Sequence, residues 1–352
     1  MRTREAAVRT AFRAQKGWCE KLGSPFTARL CDVFAERLDR STALGRRMLD
    51  WPGEPDALHD SVPLRIAGGL HALVRRGRLP DLAAFYPPGA LPEPNMLWQT
   101  VSAALAEAGD EVEGWLDLPP QTNEVARSAV LMSGYVVVAS RTGLPLSLFE
   151  LGASAGLNLL ADRYACRLGS RLVGPCDSAV RLEPAWTGPD LPAATPVIAR
   201  RRGVDLNPLD VTTASDRERM AAYVWPDQSE RLARLEAALA IAVAEPPTLD
   251  RGDAGDWLEW QLASQPTPGL ARVVAHSVAF QYFPAATQRG ISALIEEAGE
   301  AATSASPLAW LRYETDSDHG GRTTLRLRLW PDGDDALLAF ADPHARSVHW
   351  QG

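Results

Sequence analysis

The spacing of apolar positions changes character once along the chain, near residue 140. Up to about residue 120 it repeats every three to four residues, as at Phe26, Leu30, Val33, Phe34 and Leu38 of FTARLCDVFAERL, which predicts amphipathic helices. Clusters at Trp51-Pro52-Gly53, Tyr86-Pro87-Pro88-Gly89 and Leu91-Pro92-Glu93-Pro94 cut this region into short helices and loops. No alternating strand pattern occurs there. After Pro119-Pro120, Thr122 or Asn123 is expected to cap a helix that runs to about Ser140 and is closed by Gly143.

Beyond this helix, short runs rich in branched residues interleave with helical stretches. LSLFEL is followed by LNLLADRYA, and ARRRGVDLN by DQSERLARLEAALAIAVA; then come ARVVAHSVAF, PLAWLRYE, TTLRLRLWP and ALLAFAD. Alternation of strands and helices predicts βαβ units and a mainly parallel sheet, and the last strands, which lack intervening helices, predict an antiparallel edge. Asp227 and Glu230 form an expected capping pair for the helix after Trp225-Pro226. The expected organisation is an all-helical domain or cap over residues 1–140 and an α/β domain over 141–352. Residues 163–200, with several glycines and prolines, are expected to be an insertion of irregular or hairpin structure.

Composition narrows the function. The chain has 352 residues, 46% apolar and 23% charged, which is enough for two globular domains. Its 36 basic and 44 acidic residues give a net charge of −8, so no general cationic field attracts a phosphate backbone. A small-molecule substrate is expected rather than a nucleic acid. Cys19, Cys31, Cys166 and Cys176 form no C-x-x-C and no zinc-finger spacing with histidine, so reduced structural thiols and no metal centre are expected. The first residues carry charges every few positions, and no run of eighteen apolar residues occurs, so a cytoplasmic protein without a membrane partner is the expectation.

The candidate chemistry lies in Leu146-Ser-Leu-Phe-Glu150-Leu-Gly152-Ala-Ser154-Ala-Gly156-Leu-Asn158, a strand, a sharp turn and a helix start. Small residues let a backbone approach a ligand, and the N–H groups that open a helix suit an anion. One reading takes Gly152-x-Ser154-x-Gly156 as a nucleophile elbow, with Asp256 or Asp316 and His344 completing a hydrolase triad. Glu150 has no role in that reading, and no HGGG-like oxyanion loop precedes it.

The second reading uses Glu150. Glu150-x-Gly152-x-Ser154-x-Gly156 resembles motif I of class I S-adenosylmethionine-dependent methyltransferases, with Ser154 in place of one glycine. Val204-Asp205-Leu-Asn-Pro208 and Arg251-Gly252-Asp253-Ala254 resemble the later motifs of that family in the same chain order. The resemblance implies a Rossmann-like fold, S-adenosylmethionine as cofactor and S-adenosylhomocysteine as product. It implies that Glu150 organises the loop and the methionine amine, that Gly152 and Gly156 let the methionine part lie across the turn with Ser154 and Asn158 as further cofactor-binding candidates, and that Asp205 takes the ribose hydroxyls and Asp253 and Ala254 the adenine. Asn123 and Arg127, one helical turn apart, would clamp the cofactor carboxylate, since arginine matches a carboxylate fork. His276, Glu314 and His344, near later strand ends, are the candidate bases, and His276 is also a candidate adenosine contact. Binding of the same cofactor without transfer is the alternative function.

The chain as a whole resembles the uncharacterised bacterial family DUF2332. Gln121-Thr-Asn-Glu124 with Arg127, Glu150 to Leu159, Val204 to Pro208, Trp225-Pro-Asp-Gln228 with Arg231, and Asp342-Pro-His344 carry this resemblance. Asp316-Ser-Asp318-His319-Gly-Gly is expected to be a solvated hairpin rather than a metal site, and the eleven tryptophans to be packing residues.

Overall fold

The computed structural model describes residues 2–352. In chain order the elements are α1 (Arg2–Lys21), α2 (Pro25–Arg37), α3 (Ala43–Leu49), α4 (Val62–Arg75), α5 (Pro80–Ala83), α6 (Pro94–Trp115), α7 (Arg127–Thr142) and β1 (Leu146–Leu151). There follow β2 (Ala165–Leu168), β3 (Arg171–Val173), β4 (Arg181–Leu182), β5 (Ala185–Thr187), β6 (Ile198–Asp205), α8 (Ala214–Ala222), α9 (Ser229–Ala244), β7 (Leu249–Arg251) and α10 (Ala254–Ala263). The chain ends with β8 (Ala271–Ser277), α11 (Ala285–Glu300), β9 (Leu308–Asp316), β10 (Arg322–Trp330), β11 (Asp334–Ala341) and β12 (Ser347–Trp350). Among the described residues no helix is long and apolar enough to cross a membrane. All four cysteines are free thiols, three of them buried.

The chain divides into two compact units, one built from the residues up to Thr122 with Ala214–Ala233, the other from Asn123–Thr213 with Arg234–Gly352. This differs from the expected boundary near residue 140 at two places. Helix α7 belongs with the sheet: Ser128 to Val138 is buried without a break, so an element apolar on all sides needs cover on all sides. Gly134 lets it lie close to β9, where a Cβ would come within 2.4 Å of Leu311 Cδ1.

The second difference is the return of residues 214–233 to the helical unit. The predicted face of α2 is buried there, together with Phe12, Met48, Ile66 and Leu70, and the Phe12 and Phe34 rings stack at 5.3 Å. Asp227 does not cap the helix that follows it. Its carboxylate accepts the Phe26 and Thr27 N–H groups at 2.9 and 3.1 Å and the Thr27 hydroxyl at 2.9 Å, so it caps α2, whose own Ser24 makes no side-chain cap. Tyr223 donates its hydroxyl to the Leu118 carbonyl, and His71 Nδ1 pairs with the Ala222 carbonyl at 3.1 Å. Burial pushes the His71 pKa down to about 4.

The other unit is α/β. Its main sheet has nine strands in the order β5-β12-β11-β10-β9-β8-β1-β6-β7. The pairs β7/β6, β6/β1, β1/β8 and β8/β9 are parallel; β9/β10, β10/β11 and β11/β12 are antiparallel. A mainly parallel sheet with an antiparallel edge is therefore present, and the Asp316–Gly321 segment is the turn between β9 and β10. The strand order runs outward in opposite directions from β1, which makes the carboxyl ends of β1 and β8 the switch point.

Two local expectations change. LNLLADRYA forms a 3₁₀ segment, Leu157–Arg163, and not an α-helix. It is pinned at both ends: Asn123 Oδ1 accepts the Leu157 N–H, the Tyr164 hydroxyl bonds the Leu157 carbonyl, and Arg201 grips Asp162. Residues 163–200 contain a small sheet, β3-β2-β4, while β5 leaves it and pairs with β12 at the far edge of the main sheet.

Replacing Asp227 with Ala is expected to cost about 1–3 kcal/mol in denaturant unfolding, because two helix N–H groups and a hydroxyl lose their acceptor. Hydrogen exchange should quicken at Phe26 and Thr27. Quickening confined to the start of α9 would return Asp227 to its own helix.

Candidate functional site

Glu150 stands at the second-last position of the central strand, in register with Gly203 of β6 and Ala275 of β8. These small neighbours leave space for its carboxylate within the sheet, where it is only 3% exposed. Burial raises its pKa from an ordinary 4.5 to about 8, and the Asp205 charge adds to the rise; a hydrogen bond from Asn158 and the Arg127 charge oppose it. Asn158 is oriented by Ser128, whose hydroxyl donates to Asn158 Oδ1 at 2.7 Å and so leaves the amide NH₂ for Glu150. Glu150 Oε2 is buried without a hydrogen-bond partner.

The following turn needs left-handed backbone at Gly152, Ser154 and Gly156, with φ of 68°, 56° and 71°. Both glycines are also crowded: a Cβ on Gly152 would lie 2.7 Å from Ala279 Cβ, and one on Gly156 would lie 2.8 Å from Pro247. Asp205 secures the turn by accepting the Ser154 N–H at 2.9 Å through Oδ2, and its Oδ1 accepts the Asn207 N–H at 2.9 Å. Ser154 Oγ is buried and unpartnered.

Arg127 and Asn123 are not a clamp on one helix face. Helix α7 starts at Arg127, so Asn123 precedes it and serves the 3₁₀ segment. Arg127 donates Nη1 to the Ser277 carbonyl at 2.9 Å and Nε to the Pro343 carbonyl at 3.0 Å. It thereby ties the end of β8 to the turn before β12. Next to Ser277, Val278 has φ 48°, a strained value for a β-branched residue, and the Tyr313 carbonyl holds its N–H.

His276 and Glu314 meet in the protein interior. The Trp310 indole N–H can only donate, so His276 Nε2 accepts it at 3.1 Å, and His276 Nδ1 then carries the proton given to Glu314 at 2.8 Å. The same Glu314 oxygen accepts the Ala279 and Phe280 N–H groups, each at 3.0 Å. Burial acts to raise the Glu314 pKa, but the hydrogen bond from His276 and these N–H groups hold it below the ordinary value. Both ring nitrogens of the expected base are thus engaged within the chain. His344 stands apart, with Nδ1 at 3.5 Å from buried Glu124, whose other oxygen accepts the Ala126 N–H and pairs with Arg234.

Asp253 caps α10 through the Gly255 and Asp256 N–H groups, and Ala254, the first residue of that helix, is buried in the core. Both lie after the edge strand β7. The triad of the hydrolase reading is dispersed: Ser154 Oγ has no base bonded to it, His344 faces Glu124, Asp316 holds His319, and Asp256 lies in the first turn of α10. The sheet therefore brings together Glu150, Ser154, Asn158 and Asp205. Ser128 and the polar role of Trp310 carry no signal in the sequence, whereas Glu124 is marked there by its place in the Gln121–Arg127 motif.

Two outcomes follow. The folded state keeps a proton on Glu150 that the unfolded chain releases above about pH 4.5, so this contribution is complete below that pH and is lost as pH rises through about 8. Stability of the wild type relative to Glu150→Gln should therefore fall across that window, by at most about 1.4 kcal/mol per pH unit in urea titrations. Parallel curves would show that Glu150 is ionised throughout. Glu314→Ala, which orphans His276 Nδ1–H and two backbone donors, should cost about 3 kcal/mol or more at neutral pH; a loss under about 1 kcal/mol would mean that water replaces the carboxylate.

No match emerges among proteins of curated function or among solved structures. Residues 9–350 match the family described as "Uncharacterized protein conserved in bacteria (DUF2332)", as the Gln121–Arg127, Glu150–Leu159 and Asp342–His344 motifs imply, and the chain belongs to that family.

Proposed function

We propose that the carboxyl end of the sheet binds S-adenosylmethionine and supports methyl transfer to a small-molecule acceptor. One observation carries this reading: a buried carboxylate oxygen of Glu150 and the hydroxyl of Ser154, both unpartnered, lie at the switch point of the strand order. Once ionised, Glu150 is acceptor-only and calls for a donor, and an ammonium group supplies both N–H donors and the opposite charge. On the neighbouring strand Asp205 accepts one backbone N–H per oxygen and keeps lone pairs for a vicinal diol. S-adenosylmethionine carries an ammonium and a ribose diol on one molecule, and when bound it supplies an electrophilic methyl group on a sulfonium.

The work of the chain is then binding and orientation. Glu150 and Ser154 would take the ammonium, and Asp205 the diol. Arg127 is committed through two nitrogens to backbone carbonyls, so it serves the shape of the site rather than the carboxylate clamp. Asp253 is likewise committed to its helix. A small acceptor accords with the net charge of −8, which repels polyanions. Cofactor binding without transfer is a second reading, favoured by the engagement of both His276 nitrogens and of the bonded Glu314 oxygen within the protein.

Thermal unfolding with S-adenosylmethionine and with S-adenosylhomocysteine should show a saturable rise in midpoint with either ligand. Glu150→Gln should weaken the response. Because an ammonium competes with the proton on Glu150, affinity should increase from about pH 6 to about pH 8. A flat midpoint with both ligands overturns the proposal; binding with no S-adenosylhomocysteine formed across an acceptor panel selects the second reading.

A further inference from the structure

At the opposite end of the same sheet, where β6, β1 and β8 begin, lies a cleft of about 370 Å³. Ser147 of β1 is in register with Arg200 of β6 on one side and Arg272 of β8 on the other. The two arginines therefore share one sheet face at two strand spacings, about 10 Å between backbones, a gap that their long side chains can close. Arg272 is 8% exposed, and its Nε and Nη1 are buried without a hydrogen-bond partner. Gln261, from the last turn of α10, borders the same cleft at 9% exposure and also has an unpartnered Nε2.

The charge balance of the cleft is one-sided. Arg201 and Arg202 also border it, but each is neutralised by a paired carboxylate, Asp162 at 2.6 and 2.9 Å and Asp250 at 2.5 and 2.9 Å. Arg200 is exposed and Arg272 buried, and among the described residues no Asp or Glu lines the cleft. Burial lowers the Arg272 pKa, and no counter-charge offsets it. A guanidinium held out of water without an anion is costly, and a carboxylate from the chain would ordinarily relieve that cost. Here Arg272 and Gln261 line an open cleft, from which a group outside the chain can bring that relief.

We infer that this cleft binds a phosphorylated small molecule, with Arg272, Arg200 and Gln261 on the phosphate. Two uncompensated guanidinium groups match a group of charge near −2, and converging N–H donors match its three terminal oxygens. Phe149 and Leu270 provide an apolar wall for the organic part, and the volume lies in the range that small ligands fill. The cleft and the Glu150 turn lie at opposite ends of β1, so this site stands independently of the proposed cofactor site.

Inorganic phosphate and glycerol 3-phosphate, at fixed ionic strength, should each raise the unfolding midpoint saturably, with chloride and succinate as comparison ions. Arg272→Met removes a buried unpaired charge, so it should unfold at or above the wild-type midpoint in phosphate-free buffer while phosphate affinity falls by about tenfold or more. Arg200→Ala, at an exposed position, should fold normally and weaken the phosphate response, and it decides the matter if Arg272→Met does not fold. Glu150→Gln should leave the response intact. The inference is overturned by the absence of a saturable response in the wild type, by an undiminished response in the arginine variants, or by succinate acting as well as glycerol 3-phosphate.

Discussion

The acceptance of the Ser154 N–H by Asp205 is the contact on which the α/β unit turns. The connection from β1 to β6 contains a 3₁₀ segment and a small sheet where an α-helical crossover is ordinarily found, so no continuous helix sets the direction in which the chain leaves β1. A carboxylate at the end of β6 does so instead, holding three left-handed residues against the neighbouring strand. With the turn fixed, Ala153 donates its N–H to the Val204 carbonyl, Leu157 to Asn123, and Asn158 is buried beneath Glu150. The raised pKa of Glu150 comes from its burial and the nearby Asp205 charge, and the Asn158 hydrogen bond acts against it.

The two ends of the central strands carry unsatisfied groups of opposite kind. At the carboxyl end the deficit is of donors, at Glu150 Oε2 and Glu314 Oε2; at the amino end it is of acceptors, at Arg272 and Gln261. Neither imbalance is a surface salt bridge left unmade, since each group is largely removed from water. Elsewhere the chain pairs its buried charges closely, as with Arg201 and Asp162. Of these groups, Glu150 stands at a carboxyl strand end, where open α/β sheets present ligand crevices.

Several groups with an attractive sequence position turn out to maintain the fold. Arg127 fastens β8 to the turn before β12, Asp253 caps α10, and Asp227 caps α2 from 201 residues away. His276 is locked between Trp310 and Glu314. A carboxylate or imidazole near a strand end has the same letters whether it faces a ligand or a backbone N–H. The choice depends on which strand lies beside it.

The order of helices and strands, the parallel centre with its antiparallel edge and the position of the glycine turn were legible in the residues, because helical and strand periodicities and the need for left-handed backbone are local properties. The helix after the turn was misjudged for a tertiary reason: LNLLADR has a helical pattern, but Asn123, Tyr164 and Arg201 pin it as 3₁₀. The Glu150, Ser154 and Asp205 grouping was legible as a motif, whereas the burial of Glu150 depends on Gly203 and Ala275 meeting it in register. Arg272 carries no signal at all in ARVVAHS; its lack of a partner arises only when β8 is placed beside β1 with Ser147 opposite. Sequence alone determined what each segment can form, and tertiary structure decided which charges find partners, because partnership is set by strand adjacency between residues far apart in the chain.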